Sequence, residues 1–400
     1  MEYLRIGTEY YKIVQKPSIN GSTYSSIVRW KRQTILDDKG RDFLKKVKRY
    51  EGFTVVPSHI HYQQEVKGFY NKYHGLSHKI DNSQRHFEIE NTTQFLKHIF
   101  GEQYEIGLDY LTILWHKPTQ ILPILCLVSE ERSTGKTTFL NWLKFLFEEN
   151  MTINKNEDFR SRFNADWSEK LIIGVDEVLL DKKEDSERIK NLSTALHYKT
   201  EKKGIDKEET AFFGKFILCS NNEDNFIIID ENEIRYWVRK VNPIGDLNPD
   251  FLEKLKCEVS DFANYLNRRK VSSPKSTRMW FDIKKLQTDA LKRLVSGTKY
   301  YVEKELLLIL NDLMEDYEID SVSFSKTEIL SLFKESSVRF SRTQITNIIT
   351  VKWQLESKNS SYLQYNKVYN GVEGWTVEAF TKKGRHYTFE KKFIENLLNC

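Results

Sequence analysis

The chain has 400 residues, a formal net charge of +5, 39% hydrophobic and 30% charged residues. Aromatics at 13%, with 24 Phe and 20 Tyr, exclude a disordered polymer, and 7 Pro with 17 Gly exclude long low-complexity linkers. The four cysteines, Cys126, Cys219, Cys257 and Cys400, form no CxxC pair, which argues against a zinc site and suits a reducing compartment.

A chain this long exceeds one ordinary core, so two to four domains are expected. Met1-Glu2-Tyr3 opens no apolar stretch, and no apolar run approaches membrane-spanning length. The expectation is a cytoplasmic protein with no membrane partner. In chain order, Tyr3 to Val14 reads as a hairpin and Asn91 to Phe100 as a helix. Ile124-Leu125-Cys126-Leu127-Val128 is a continuous apolar stretch of strand length, the pattern of a strand buried on both faces of a parallel sheet. Ser129 to Gly135 then forms a loop, and Phe139, Leu143, Leu146 and Phe147 recur on one face of a helix.

That strand, loop and helix carry Gly135-Lys136-Thr137, the last three places of G-x-x-x-x-G-K-[ST]. Ser133, Thr134 and Thr138 complete the phosphate cradle, with Lys136 charging the outer phosphates of ATP and Thr137 taking a Mg²⁺ position. Glu130 stands where the first glycine belongs. The grip comes from backbone N–H groups at a helix N-terminus, so Glu130 serves if its carboxylate points away. The next apolar strand, Lys170 to Val175, ends in Asp176-Glu177, a Walker B arrangement. Asp176 would join the Mg²⁺ shell and Glu177 would polarise the attacking water. A strand ending in exposed acids is the bland alternative. Phe212 to Leu218 is a third apolar strand, ending in Cys219-Ser220-Asn221-Asn222. An Asn at its tip can reach both γ-phosphate and water. Asn221 is preferred and Asn222 is the alternative; an Asn-Asn turn is the other reading.

The ordered segments ERSTGKTT, LIIGVDEV, HYKTEKKGIDKEETAFFGKFILCSNN and IDENEIRYWVRKV, from about Ile124 to Val241, resemble the superfamily 3 helicases. The similarity is to their phage, plasmid and poxvirus primase-helicase branch. The resemblance implies an AAA+-like P-loop core, a homo-oligomeric ring, typically a hexamer, and single-stranded and forked duplex DNA as partners. It also implies a DNA-contacting hairpin between Walker B and the Asn strand, here Tyr198 to Lys207 with Lys202 and Lys203 at its tip. A solvated turn is the plain alternative for these lysines. The arginine finger implied for the neighbouring subunit's nucleotide matches Arg235, with Arg239 as the alternate. A helical accessory domain is implied before the core. The first hundred residues lack clustered acidic metal ligands, so a primase or polymerase would be a separate chain or has been lost.

Downstream, Asn248-Pro249 reads as a helix start, with Leu252, Leu255, Val259, Phe262 and Leu266 on one face. From Val271 to Lys299 seven cations stand against Asp282 and Asp289, either a solvated helix face or a nucleic-acid surface. Helices are expected from Val302 to Tyr317, Ser325 to Lys334 and Ser341 to Trp353, then a hairpin from Tyr362 to Ala379 turning at Asn370-Gly371. That pattern is winged-helix-like, and Arg342, Thr343 and Gln344 could face a DNA groove, unless the unit packs against protein. The expected division is 1–100 mixed, mostly helical accessory domain, 101–245 ATPase, 246–300 basic helical segment and 301–400 winged-helix-like domain. The function expected is an ATP-dependent DNA helicase of a phage or mobile element, in the host cytoplasm if phage-encoded. The alternatives are a replication initiator whose P-loop binds nucleotide to control assembly, and another P-loop DNA motor.

Overall fold

A computed structural model of the chain describes residues 2–17, 23–81, 86–157, 167–180, 183–202, 205–229, 233–245, 248–333, 342–370 and 374–398. Strands β1 (Tyr3–Ile6) and β2 (Glu9–Pro17) form the expected N-terminal hairpin. β3 (Thr23–Arg29) pairs with β2, and β4 (Lys48–Tyr50) runs parallel to β1, giving the order β3-β2-β1-β4. Two short helices, Arg32–Lys39 and Arg41–Lys46, set Ile35, Phe43 and Leu44 against Tyr3, Tyr10 and Trp30 on one face. The other face packs Leu4, Ile6 and Tyr50 on Phe53 and Tyr70. Those rings come from a small sheet of β5 (Phe53–Thr54), β6 (Glu65–Val66) and β7 (Phe69–Asn71). The N-terminal hundred residues, expected as mixed and mostly helical, are mixed, with seven strands beside three helices among the described residues. Tyr, Ile and Val at alternating positions favour a pleated surface, and that preference wins here. The helix expected there, found as Glu90–Phe100, joins the central core through Phe95, Leu96, Ile99 and Phe100.

The central sheet uses β8 (Ile124–Val128), β9 (Met151–Asn154) and β10 (Ile172–Val175). A separate antiparallel hairpin follows, β11 (His197–Lys202) with β12 (Ile205–Ala211), and then β13 (Lys215–Ser220) and β14 (Tyr236–Lys240) return to the sheet. All five strands are parallel, in the order β14-β8-β13-β10-β9. β8, β10 and β13 are buried throughout because helices cover both faces, which is why they read as unbroken apolar runs. On one face lie helices Glu90–Phe100, Tyr104–His116, Lys136–Phe147 and Phe251–Arg268. Helix Lys183–Ser193 and the start of helix Asp289–Asp316 cover the other, through Ile189, Leu192, Leu291 and Leu294.

The basic stretch expected as a helical segment is not a unit of its own. After Arg268 the chain runs without helix to the short Ile283–Leu286 turn, then enters the 28-residue helix Asp289–Asp316. That helix continues into the C-terminal domain, where Leu306 and Leu310 pack on Ile329, Ile345, Trp353 and Phe389. There β15 (Ser321–Phe324) precedes helix Lys326–Leu332, capped by a Ser325–Glu328 box, and helix Arg342–Asn347, which widens into a π turn. β16 (Lys358–Asn370) and β17 (Gly374–Glu390) form a long antiparallel ribbon, sheet order β15-β17-β16. Gly371 of the expected Asn-Gly turn lies outside the described residues. Among those described, no helix is long and apolar enough to cross a membrane.

Candidate nucleotide site

Strand β8 delivers the loop Ser129–Gly135 to the C-terminal edge of the sheet. Two of the loop's carbonyls are tied off outward. His98 Nε2 lies 3.0 Å from the Thr134 oxygen, and the Ile244 amide donates to the Ser133 oxygen at 3.0 Å. Ser133 and Gly135 hold φ of 56° and 88°. A Cβ on Gly135 would stand 3.0 Å from Phe95 Cε2 and 3.2 Å from Ile244 Cδ1, so both backbone angle and space require glycine. Helix Lys136–Phe147 starts here with no side-chain cap. The first-turn amides of Lys136, Thr137 and Thr138 therefore have no partner in the helix, which is what a phosphate needs.

Lys136 is buried, its Nζ 3.0 Å from Thr134 Oγ1 and 3.5 Å from the Ser129 oxygen. Burial pulls its ammonium below the usual lysine range, with Asp176 and Glu223 nearby acting in the opposite sense. The Thr137 hydroxyl donates to Asp176 Oδ2 at 2.9 Å, across the gap between the loop and the end of β10. At Glu177 the backbone turns through a left-handed φ of 52° and the side chain emerges exposed. The turn is pinned to β13: the Val178 amide donates to the Cys219 oxygen (2.8 Å), and Ser220 Oγ to the Val178 oxygen (3.0 Å). Asn222 is spent on its own turn, its Oδ1 accepting from the Asp224 and Asn225 amides while its amide group donates to Asn225. Asn221 stands exposed at the strand tip.

Arg235 is not part of this cluster. It precedes β14, where its oxygen accepts from the Ile124 amide at the start of β8. The phosphate loop leaves the far end of β8, about 16 Å away for a five-residue strand. Arg235 Nη1 binds both carboxylate oxygens of Glu233, at 2.8 and 2.9 Å. Arg239 is buried and bound to Glu102, with Gln103 Oε1 at 3.3 Å, a structural tie to the preceding helix. Lys202 ends β11; Lys203 and Gly204 lie outside the described residues.

Sequence reasoning missed the groups that brace the loop. Glu130 does face away: its Oε1 accepts from Arg293 Nη2 at 3.0 Å. Arg293 also binds Glu223 (2.9 Å) and Asp224 (2.6 Å). The buried Glu223 carboxylate further takes Lys240 Nζ at 3.0 Å and the Glu130 amide at 3.1 Å. Arg293 was legible only as one cation of a basic stretch, and His98 carried no spacing signal.

A family described only as one of unknown function, DUF5906, matches residues 127–239, the span from β8 to β14. No curated protein matches the chain. Among solved structures, the apo structure of the NrS-1 C-terminal region (305–718) has a TM-score of 0.58 at 16% identity, covering 96% of this chain and 95% of that one. The A-form apo structure of the same region gives 0.58 at 17% identity, with 94% and 95% covered. JCV helicase bound to a small acetamide gives 0.31 at 12% identity, with 60% and 69% covered. The chain shares the fold of the NrS-1 C-terminal region along almost its whole length.

Proposed function

We propose that the chain is an ATP-driven DNA helicase whose ATPase core is AAA+-like and works as a ring, a hexamer by its family resemblance. The observation that carries this reading is the 2.9 Å contact between Thr137 and Asp176 beside the buried Lys136. It brings the hydroxyl of the loop and the carboxylate of a separate strand to one point at the C-terminal sheet edge, where open α/β sheets bind ligands. A hydroxyl and a carboxylate are hard oxygen donors, so Thr137 and Asp176 fit Mg²⁺. Bound with ATP, that ion would neutralise charge on the outer phosphates. Lys136 and the first-turn amides hold the phosphates. Glu177 orients and deprotonates the attacking water, and Asn221 positions it against the γ-phosphate. Arg235 serves the next subunit's nucleotide, and the β11–β12 hairpin, with Lys202 and Lys203, tracks the DNA backbone. The C-terminal unit is winged-helix-like.

The test is ATP hydrolysis with and without single-stranded DNA, together with unwinding of a forked duplex. Lys136→Ala is expected to lose hydrolysis, whereas Glu177→Gln still binds ATP and fails to cleave it. Hydrolysis at the wild-type rate by Glu177→Gln overturns the Walker B assignment. Nucleotide-dependent assembly without unwinding would leave an initiator.

A further inference from the structure

The first fifty residues hold twelve Lys and Arg against five Asp and Glu, a surplus of seven. The whole chain carries +5, so the other 350 residues are left two charges negative. The N-terminal sheet domain therefore carries a larger surplus than the basic stretch from Val271 to Lys299, where seven cations face two acids. The structure shows where it goes. Lys12, Arg29, Lys45 and Lys48 are neutralised by Glu2, Glu9, Asp42 and Glu65. Lys31, Arg32, Lys39, Arg41, Lys46 and Arg49 are exposed and make no ion pair among the described residues. All six sit on the two-helix layer or on β4, the edge strand beside it. Arg49 is also the register partner of Arg5 on β1, so like charges are placed side by side on one face. Such a pair costs stability unless an anion lies across it.

The aromatic rings of this face are not offered to a ligand. Tyr3 is buried, and Tyr10, Trp30 and Phe43 are half-buried beneath the helices, with Lys12 capping Trp30 at 4.9 Å. Recognition of single strands relies on stacking bases on exposed rings. A cationic face without such rings reads charge alone, and duplex DNA carries one phosphate charge per 1.7 Å of axis, twice the density of one strand. The helices of eight and six residues extend about 12 and 9 Å, enough to face roughly six base pairs.

We infer that the N-terminal helix layer and its β4 edge bind the phosphate backbone of duplex DNA, independently of sequence. The surface is separate from the β11–β12 hairpin. It deepens the helicase reading by giving the duplex ahead of the fork its own contact, and rests on that reading for its role but not for its binding.

The experiment uses the full chain without nucleotide and measures affinity for a 20-base-pair duplex and a 20-mer single strand across a salt series. The variant is Lys31→Glu/Arg41→Glu/Arg49→Glu. The control, equal in charge change, is Lys254→Glu/Lys270→Glu/Lys285→Glu. The patch variant is expected to lose about 10- to 100-fold in duplex affinity near 0.1 M salt, with the salt slope falling by roughly two to three. Its single-strand affinity should fall less, its basal ATP hydrolysis should hold, and the control should stay within about threefold. Equal losses in patch and control, or an unchanged duplex slope, overturn the inference. So does a chain that binds no duplex at any salt. Patch-dependent binding in a chain that hydrolyses no ATP would leave this surface standing and sink the motor.

Discussion

Lys215 shows how much a single buried charge can shape the fold's response to pH. Its ammonium is fully buried at the start of β13, donating to the carbonyls of Pro118 and Phe213, and burial pushes it down to about 7 from 10.5. The unfolded chain therefore binds more protons between those two values, so the fold gains stability as pH rises through that window and has least below pH 7. Lys215→Met removes the linkage. The variant's unfolding free energy relative to wild type should be most favourable below pH 7 and decline by a few kcal/mol toward pH 10. Urea melts at pH 6, 8 and 9.5 check this, and a flat difference would mean the amine stays hydrated. Glu130 supplies the second residue-scale prediction. Its carboxylate is held by Arg293 outside the phosphate cradle, and Glu223 and Asp224 retain Arg293 without it. Glu130→Gly and Glu130→Gln should both keep ATP affinity within a few-fold of wild type at fixed Mg²⁺. Collapse in both would make Glu130 part of the cradle. The residues legible in the sequence, Gly135 to Thr137 and Asp176-Glu177, are those whose chemistry demands a contiguous pattern. Glu223 and Arg293 meet Glu130 from 93 and 163 positions away, and no local period encodes such a meeting.

Elements separate the same way. Strands β8, β10 and β13 of the central sheet were legible because burial on both faces makes an unbroken apolar run of them, whereas β9, partly exposed, and β14, with Arg239 and Lys240, show no such run. Of the N-terminal strands, the β1–β2 hairpin was legible in its alternation, whereas β3 and β4 were not, since both are partly exposed and carry Arg29, Lys48 and Arg49. Helix Asp289–Asp316 was read as starting at Val302, thirteen residues late, because Gly297 and a run of cations break its pattern. Gly297 is there for close approach: a Cβ would stand 2.0 Å from the Asp224 oxygen. Neighbouring ties hold the same crossing, with the Ile229 amide donating to Thr298 Oγ1 (3.2 Å) and Thr288 Oγ1 to the Val238 oxygen (2.6 Å). Mid-helix Gly→Ala ordinarily stabilises by about 0.5–1 kcal/mol. Here the sign should reverse, with Gly297→Ala losing roughly 1–3 kcal/mol by overpacking. Because Asp224 closes the loop that begins at Asn221, kcat for ATP should drop more than KM rises. Thermal melts and steady-state kinetics check both, and a raised Tm would show that the helix does not press on the loop.

At the scale of the whole molecule, the two edges of the central sheet face different tasks. Lys136, Asp176, Glu177 and Asn221 gather at the strand ends, while Arg235 stands where the strands begin, held by Glu233. A strand's length separates Arg235 from its own phosphate loop, so it can stabilise a transition state only across a subunit boundary, where such a guanidinium is worth about 10³–10⁵ in rate. A head-to-tail ring presents that boundary, because each subunit then offers one edge to the next. Arg235→Ala and Lys136→Ala homo-oligomers should both be inactive. Mixed at equal amounts, random assembly makes about a quarter of interfaces place an intact Arg235 against an intact Lys136. Hydrolysis should recover toward that fraction of wild type, rising and falling symmetrically with the mixing ratio. Glu233→Gln, which loosens the arginine without removing it, should keep hydrolysis while lowering thermal stability, since it weakens a half-buried ion pair. Absence of recovery at every ratio, in assemblies shown to exchange subunits, would return Arg235 to a structural partner of Glu233 and remove the reason for a ring.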